Sequence, residues 1–171
     1  MTLHSRILSA ISLAWLLTVP GIMLEAQEIK GEVTGICESA SARCGITDKG
    51  EVFCSQNGKD WTVIDFYGDY KEYYGELRFV GIAAGTAGFA IAAVRTNSAG
   101  GETPAVFTSS RGTVWSEREL TYRQGEEWFQ LWELPLSISY DPVKDEFVLE
   151  CTDETMFYIP GCSHCNRMAR K

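Results

Sequence analysis

Ser55-Gln-Asn-Gly-Lys-Asp-Trp61 and, 54 residues later, Ser109-Ser-Arg-Gly-Thr-Val-Trp115 read as two copies of one hairpin. Each follows a similar apolar strand, Val52-Phe53-Cys54 before the first and Val106-Phe107-Thr108 before the second. A third, much altered copy stands at Phe157-Tyr-Ile-Pro-Gly-Cys-Ser-His-Cys165, with Cys165 where the Trp belongs. Self-similarity at a fixed period of this size is the mark of a repeat architecture.

Working outward from the hairpins gives three units. In the first, about 32–66, Val33–Ile36, Cys44–Thr47, Glu51–Ser55 and Trp61–Phe66 read as short strands. Asp48-Lys-Gly50 and Asn57-Gly58 are turn signals that tolerate positive φ. In the second, about 79–122, the strands are Phe79–Ile82, Phe89–Val94, Ala105–Ser109 and Trp115–Tyr122. Phe89-Ala-Ile-Ala-Ala-Val94 has the composition of a helix, but its alignment to Cys44–Thr47 and the flanking glycines assign it to a strand. The third unit, about 136–165, offers Leu136–Tyr140, Glu146–Glu150 and Met156–Ile159. Pro160 ends its third strand because it cannot donate to a ladder. Where a hairpin and a fourth strand should follow, the chain has Cys162-Ser-His-Cys165 and a basic tail. The expected fold class is all-β: three antiparallel four-stranded, blade-like repeats forming a partial or open β-propeller.

Arg6, the 13-residue apolar run Ile7–Val19 and the small residue Ala26 have the layout of a secretory signal peptide over 1–26. The run is shorter than the ~20 residues of a spanning helix. The domain is then 27–171, in a secreted, periplasmic or cell-envelope location, with no transmembrane segment after cleavage. The net charge of −8 sets the chain against phosphate backbones, so nucleic acid is not an expected partner. Six cysteines in an exported chain suggest disulfides, with fifteen possible connectivities. Cys37, Cys44 and Cys54 fall on three successive strands of one unit, so any two can lie side by side.

The hairpins resemble the Asp-box, or BNR repeat, of sialidases and related propellers, in its shorter form Ser-x-Asp-Gly-x-x-Trp. Ser55, Asn57, Gly58 and Trp61 match it, as do Ser109, Gly112 and Trp115. The resemblance implies a structural role: the Asp position accepts turn N–H groups, Gly takes positive φ, and Trp packs back across the hairpin. Asn57 retains an acceptor, whereas the Arg111 side chain does not. Trp61 and Trp115 are then expected in the core. Three blades fall short of the four or more of a closed propeller. A homo-oligomer, or an N-terminal strand from 27–36 lent to the last unit, would protect the exposed edges.

The same resemblance raises sialidase chemistry and argues against it. Phe157-Tyr-Ile-Pro160 mimics the Phe/Tyr-Arg-Ile-Pro motif with Tyr158 in place of Arg and at the wrong end of the chain. Three blades do not assemble an arginine triad. Glu126-Glu127 and Asp65 with Asp69 are paired carboxylates by type only. No catalytic residue is assigned. The expected function is a non-catalytic, exported β-repeat protein that binds a protein or glycan ligand. Alternatives are a degenerate or assembly-dependent sialidase-like glycoside hydrolase, and a metal- or thiol-active protein.

The binding candidates are the aromatic links between units. Tyr67, Tyr70, Tyr73 and Tyr74 lie in the first, Trp128 and Trp132 in the second, and such rings carry a large face with a polar handle. The competing reading makes Trp128, Leu131 and Trp132 a half-buried extension of a strand pair. The metal or disulfide candidates are Cys151, Cys162, His164 and Cys165. No cofactor is expected, with zinc at the cysteine cluster as the alternative.

Overall fold

The computed structural model describes residues 28–67, 75–153, 156–160 and 169–170. The expected signal peptide, Asp69, Tyr70, Tyr73, Tyr74, Cys162, His164 and Cys165 lie outside them. Among the described residues the fold is all-β and antiparallel, with no helix and no closed barrel. No helix there is long and apolar enough to cross a membrane.

The first sheet runs β1 (Val33–Glu38), β2 (Arg43–Thr47), β3 (Val52–Ser55) and β4 (Thr62–Ile64), in chain order. The second runs β5 (Glu76–Gly85), β6 (Gly88–Thr96), β7 (Glu102–Ser109) and β8 (Ser116–Glu117). A two-stranded hairpin follows, β9 (Thr121–Gln124) and β10 (Glu127–Gln130). The last sheet runs β11 (Pro135–Asp141), β12 (Glu146–Cys151), β13 (Met156–Pro160) and β14 (Ala169–Arg170). The opening strands are neighbours in space: β5 contacts β1 on one side and β11 on the other.

Side-chain alternation along β6 explains this stacking. Phe89, Ile91 and Ala93 join clusters that include Cys44, Cys54, Ile46 and Val52 of the first sheet or Phe66 of the link after it. Ala90 and Ala92 point the other way, into a cluster with Ile138, Phe147, Leu149, Phe157 and Ile159 of the last sheet. A strand buried on both faces loses the polar alternation of a surface strand, which is why Phe89–Val94 imitates a buried helix in composition. Alanines at 90 and 92 leave room for the large rings of Phe147 and Phe157.

The structure corrects several expected boundaries. The fourth strand of the first unit covers only Thr62–Ile64, because Phe66 turns into an aromatic cluster with Phe79 and Phe107, at ring distances of 5.2 and 4.8 Å. The fourth strand of the second unit is Ser116–Glu117 alone. Leu120 and Tyr122 leave that edge to enter the core, with the Tyr122 ring 5.1 Å from Phe157. The last unit does gain a fourth strand: Ala169–Arg170 of the basic tail pairs with Phe157 and Tyr158. The N-terminal segment is not lent to the last sheet, since β1 pairs with β2.

The two Trp hairpins are built differently. In the first, the Asn57 carbonyl accepts from Lys59 N and Asp60 N at 2.8 and 2.9 Å, and Gly58 takes φ 72°. In the second, the Ser109 hydroxyl accepts Gly112 N–H at 2.8 Å, and Gly112 takes φ 79°. The acceptor that Arg111 lacks is thus supplied two residues earlier. Trp115 donates its indole N–H to Gly112 O at 2.9 Å and packs where three clusters meet. Trp61, by contrast, is half-buried, edge-on to Phe53 at 5.3 Å.

Candidate ligand cleft

The β9–β10 hairpin turns at Gly125, where φ is 64°. One face of the hairpin carries Tyr122 and Phe129, directly opposed and stacked at 5.8 Å, and Tyr122 continues onto Phe157 of the last sheet. Those rings anchor the hairpin. Leu120 and Leu131 at its base are buried, and Leu131 N–H donates to Leu120 O at 2.8 Å. Anchored in this way, the hairpin walls a cleft against the edge of the second sheet, with a volume of about 440 Å³.

The floor of the cleft is apolar: Leu120, Leu131 and Pro104. Its rim is polar and aromatic. Arg95 at the end of β6 holds Glu117 of β8 through Nη2–Oε1 at 2.6 Å. Their side chains are only 21% and 28% exposed, which screens this pair less than a surface one. Arg118 follows, its backbone N–H bound to Val106 O at 2.8 Å and its guanidinium pKa lowered by burial. Gln130 and Trp132 close the opposite wall, and Trp132 is 68% exposed. A flat ring beside fixed donors and acceptors can hold a polar molecule that has an apolar face.

Of the aromatic candidates, Trp132 lines this cleft. Trp128, half exposed, stands on β10 two residues before Gln130 and therefore on the same face of the hairpin. Trp128 fits the half-buried strand extension considered for it, whereas Trp132 lies beyond β10 and is more exposed, and Leu131 is wholly buried. Tyr67 is elsewhere. It is half-buried with Phe66 against the Leu77 and Phe107 cluster, and burial, then Glu76, raises its hydroxyl pKa.

Cys151 is a core residue. It is fully buried among Leu131, Leu149 and Phe157, and burial, with Glu133, Asp153 and Glu150 nearby, pushes its thiol up to about 12. Among the described residues no group of three or more His, Cys, Asp or Glu side chains is arranged to hold a metal ion. Glu126 and Glu127 are exposed at the hairpin tip, and Asp65 is exposed after β4.

Arg95, Glu117, Arg118 and Gln130 escaped the reading of the sequence. The available signal was the charged run Glu117-Arg118-Glu119 two residues after the box Trp115. Comparison with protein-family models gives no match, and comparison with curated proteins gives none.

Proposed function

We propose that the chain is a non-catalytic binding module of the Asp-box, partial-propeller kind, and that it takes a glycan in the cleft between β8 and the β9–β10 hairpin. The observation that carries this reading is the exposed Trp132 facing a cleft whose rim holds the Arg95–Glu117 pair and Gln130. A sugar ring presents an apolar face that stacks on Trp and a hydroxyl rim that exchanges hydrogen bonds with carboxylate, guanidinium and amide groups. Size favours a glycan over a protein. A volume of about 440 Å³ falls in the small-molecule range, whereas a protein partner needs a broad surface.

The blade reading is supported by the chain-order sheets and by the succession of β1, β5 and β11. Closure of such an arc by a second copy belongs to the same proposal, and the mass in solution by light scattering tests it. Binding is tested by titrating neutral and acidic oligosaccharides while following Trp fluorescence. Saturable quenching that disappears in Trp132→Ala, with an unchanged circular-dichroism spectrum, is the expected result. Equal binding by that variant refutes the site. Turnover of fluorogenic glycosides refutes the non-catalytic part.

A further inference from the structure

Three thiols stand in a row across the first sheet. Cys37 is the register partner of Cys44, and Cys44 is the register partner of Cys54. Directly opposed residues share a face, and all three belong to one apolar cluster. Access to them is graded. Cys37, on the edge strand β1, is partly exposed, whereas Cys44 and Cys54 are 0% and 3% exposed.

The two pairings differ in backbone geometry. The β2–β3 turn is closed by Thr47 N–H donating to Glu51 O at 3.0 Å. Counting inward by alternation, Gly45 and Phe53 form a hydrogen-bonded pair, and Cys44 and Cys54 a non-hydrogen-bonded one. The N–H and C=O of Cys44 therefore point toward β1, and Cys37 with Cys44 is the hydrogen-bonded pair. Typical Cα separations are about 4.5 Å for the first kind and about 5.5 Å for the second. Both lie within the Cα range that a disulfide spans, and the shorter one brings the side chains closer.

The buried pair is also covered. Cys44 and Cys54 lie side by side as register partners, and the Cys54 thiol donates to Arg111 O at 3.6 Å. Gly112 of the second hairpin lies directly over both sulfurs. An oxidant has no direct approach to Cys44 or Cys54 while that hairpin is seated.

We infer that Cys37, Cys44 and Cys54 form a thiol relay, in which Cys37 takes an oxidising equivalent from a small-molecule disulfide and passes it inward to a Cys44–Cys54 disulfide. In the first step Cys37, whose partly buried thiol gives up its proton only at alkaline pH, attacks as the thiolate one sulfur of oxidised glutathione. A mixed disulfide forms and one glutathione thiolate leaves and takes up a proton. Cys44, deprotonated, then attacks the Cys37 sulfur, which forms Cys37–Cys44 and releases the second glutathione. Cys54, deprotonated, attacks the Cys44 sulfur, and Cys37 departs on the opposite side and is reprotonated. In sum two protein thiols lose two electrons and two protons, and one glutathione disulfide becomes two thiols. The row places the attacking and departing sulfurs on opposite sides of Cys44, as the last exchange requires.

The test uses the full chain, incubated with oxidised glutathione, quenched by alkylation and mapped by mass spectrometry. The expected end product links Cys44 to Cys54 and leaves Cys37 alkylated. Cys37→Ser should slow formation of that link at least tenfold. Cys54→Ser should halt the relay at a Cys37–Cys44 disulfide. A stable glutathione adduct at Cys37, with Cys44 and Cys54 still reduced, overturns the relay. So does an unchanged rate in Cys37→Ser. The mapping of the unsubstituted chain decides the matter even where a variant folds poorly.

Discussion

Gly112 covers Cys54 across the interface between the first two sheets. A β-carbon at position 112 would stand 2.8 Å from Cys54 Sγ and closer still to Cys44 Sγ. The second hairpin therefore does more than turn its own chain: it seats its tip on the neighbouring sheet. Gln56 of the first hairpin adds to the contact through its amide, which donates to Arg111 O at 3.3 Å.

Gly112→Ala should consequently destabilise the fold by about 3 kcal/mol, from a strained positive φ together with overpacking against sulfur. Urea denaturation measures it. A loss under about 0.5 kcal/mol, the range of an ordinary surface change, would mean that the hairpin tip is not seated as described.

The two box tryptophans should separate in the same assay. Trp115→Ala removes a ring from the meeting point of three clusters and should cost about 3–5 kcal/mol. Trp61→Ala removes a half-buried ring whose aromatic partner is Phe53, and should cost less than half as much. Equal losses would contradict the difference in packing.

Asn57→Ala withdraws the carbonyl that holds Lys59 N and Asp60 N, for a loss of about 1 kcal/mol. Asn57→Asp keeps that acceptor but replaces the amide that donates to Asp60 Oδ2 at 2.7 Å with a second carboxylate, and should also lose about 1 kcal/mol. In the second hairpin the sensitive position is Ser109, since its hydroxyl is the acceptor, and Ser109→Ala should cost about 1–2 kcal/mol. Arg111→Ala spares the carbonyl used by Cys54 and Gln56 and should be nearly silent.

Alkaline pH should weaken the fold in reducing buffer. Burial, then Cys54, raises the Cys37 thiol from its ordinary 9.0 to about 12, and Cys151 is raised to about 12 by burial and nearby carboxylates. Cys44 moves the same way, through burial and its bond to Cys54. Between about pH 9 and 12 the unfolded chain has lost thiol protons that the folded chain still holds, so stability falls as pH rises. Thermal melts between pH 7 and 10.5 should show the decline, with a shallower slope in Cys37→Ser. Parallel slopes in the two proteins would remove Cys37 from the explanation.

Much of this architecture could be read from local chemistry. The first three strands of each unit announce themselves through apolar runs between turns of glycine, asparagine, aspartate or small polar residues, and even Phe89–Val94 is resolved by its alignment. The fourth strands are less legible, because distant rings set their limits: Phe107 draws Phe66 inward, and Phe157 draws Tyr122 away from the sheet edge. The cleft shows the same division. Aromatic density pointed to Trp132, but the Arg95–Glu117 pair joins residues 22 apart on different strands, which no local pattern encodes. Sequence also allowed Cys37, Cys44 and Cys54 to be neighbours, while the seal over them comes from a hairpin more than fifty residues further along.

Within each four-stranded sheet the strands pair in chain order, and β6 is buried on both faces. Among the described residues the middle sheet thus packs against two other four-stranded sheets, where the first and last each pack against one, the last also meeting the β9–β10 hairpin. Loss of either end unit strips the middle of only half its cover, whereas opening the middle abandons both. Unfolding should therefore proceed from the termini inward, and amide protons of Ile91 and Ala92 should be among the last to exchange with solvent.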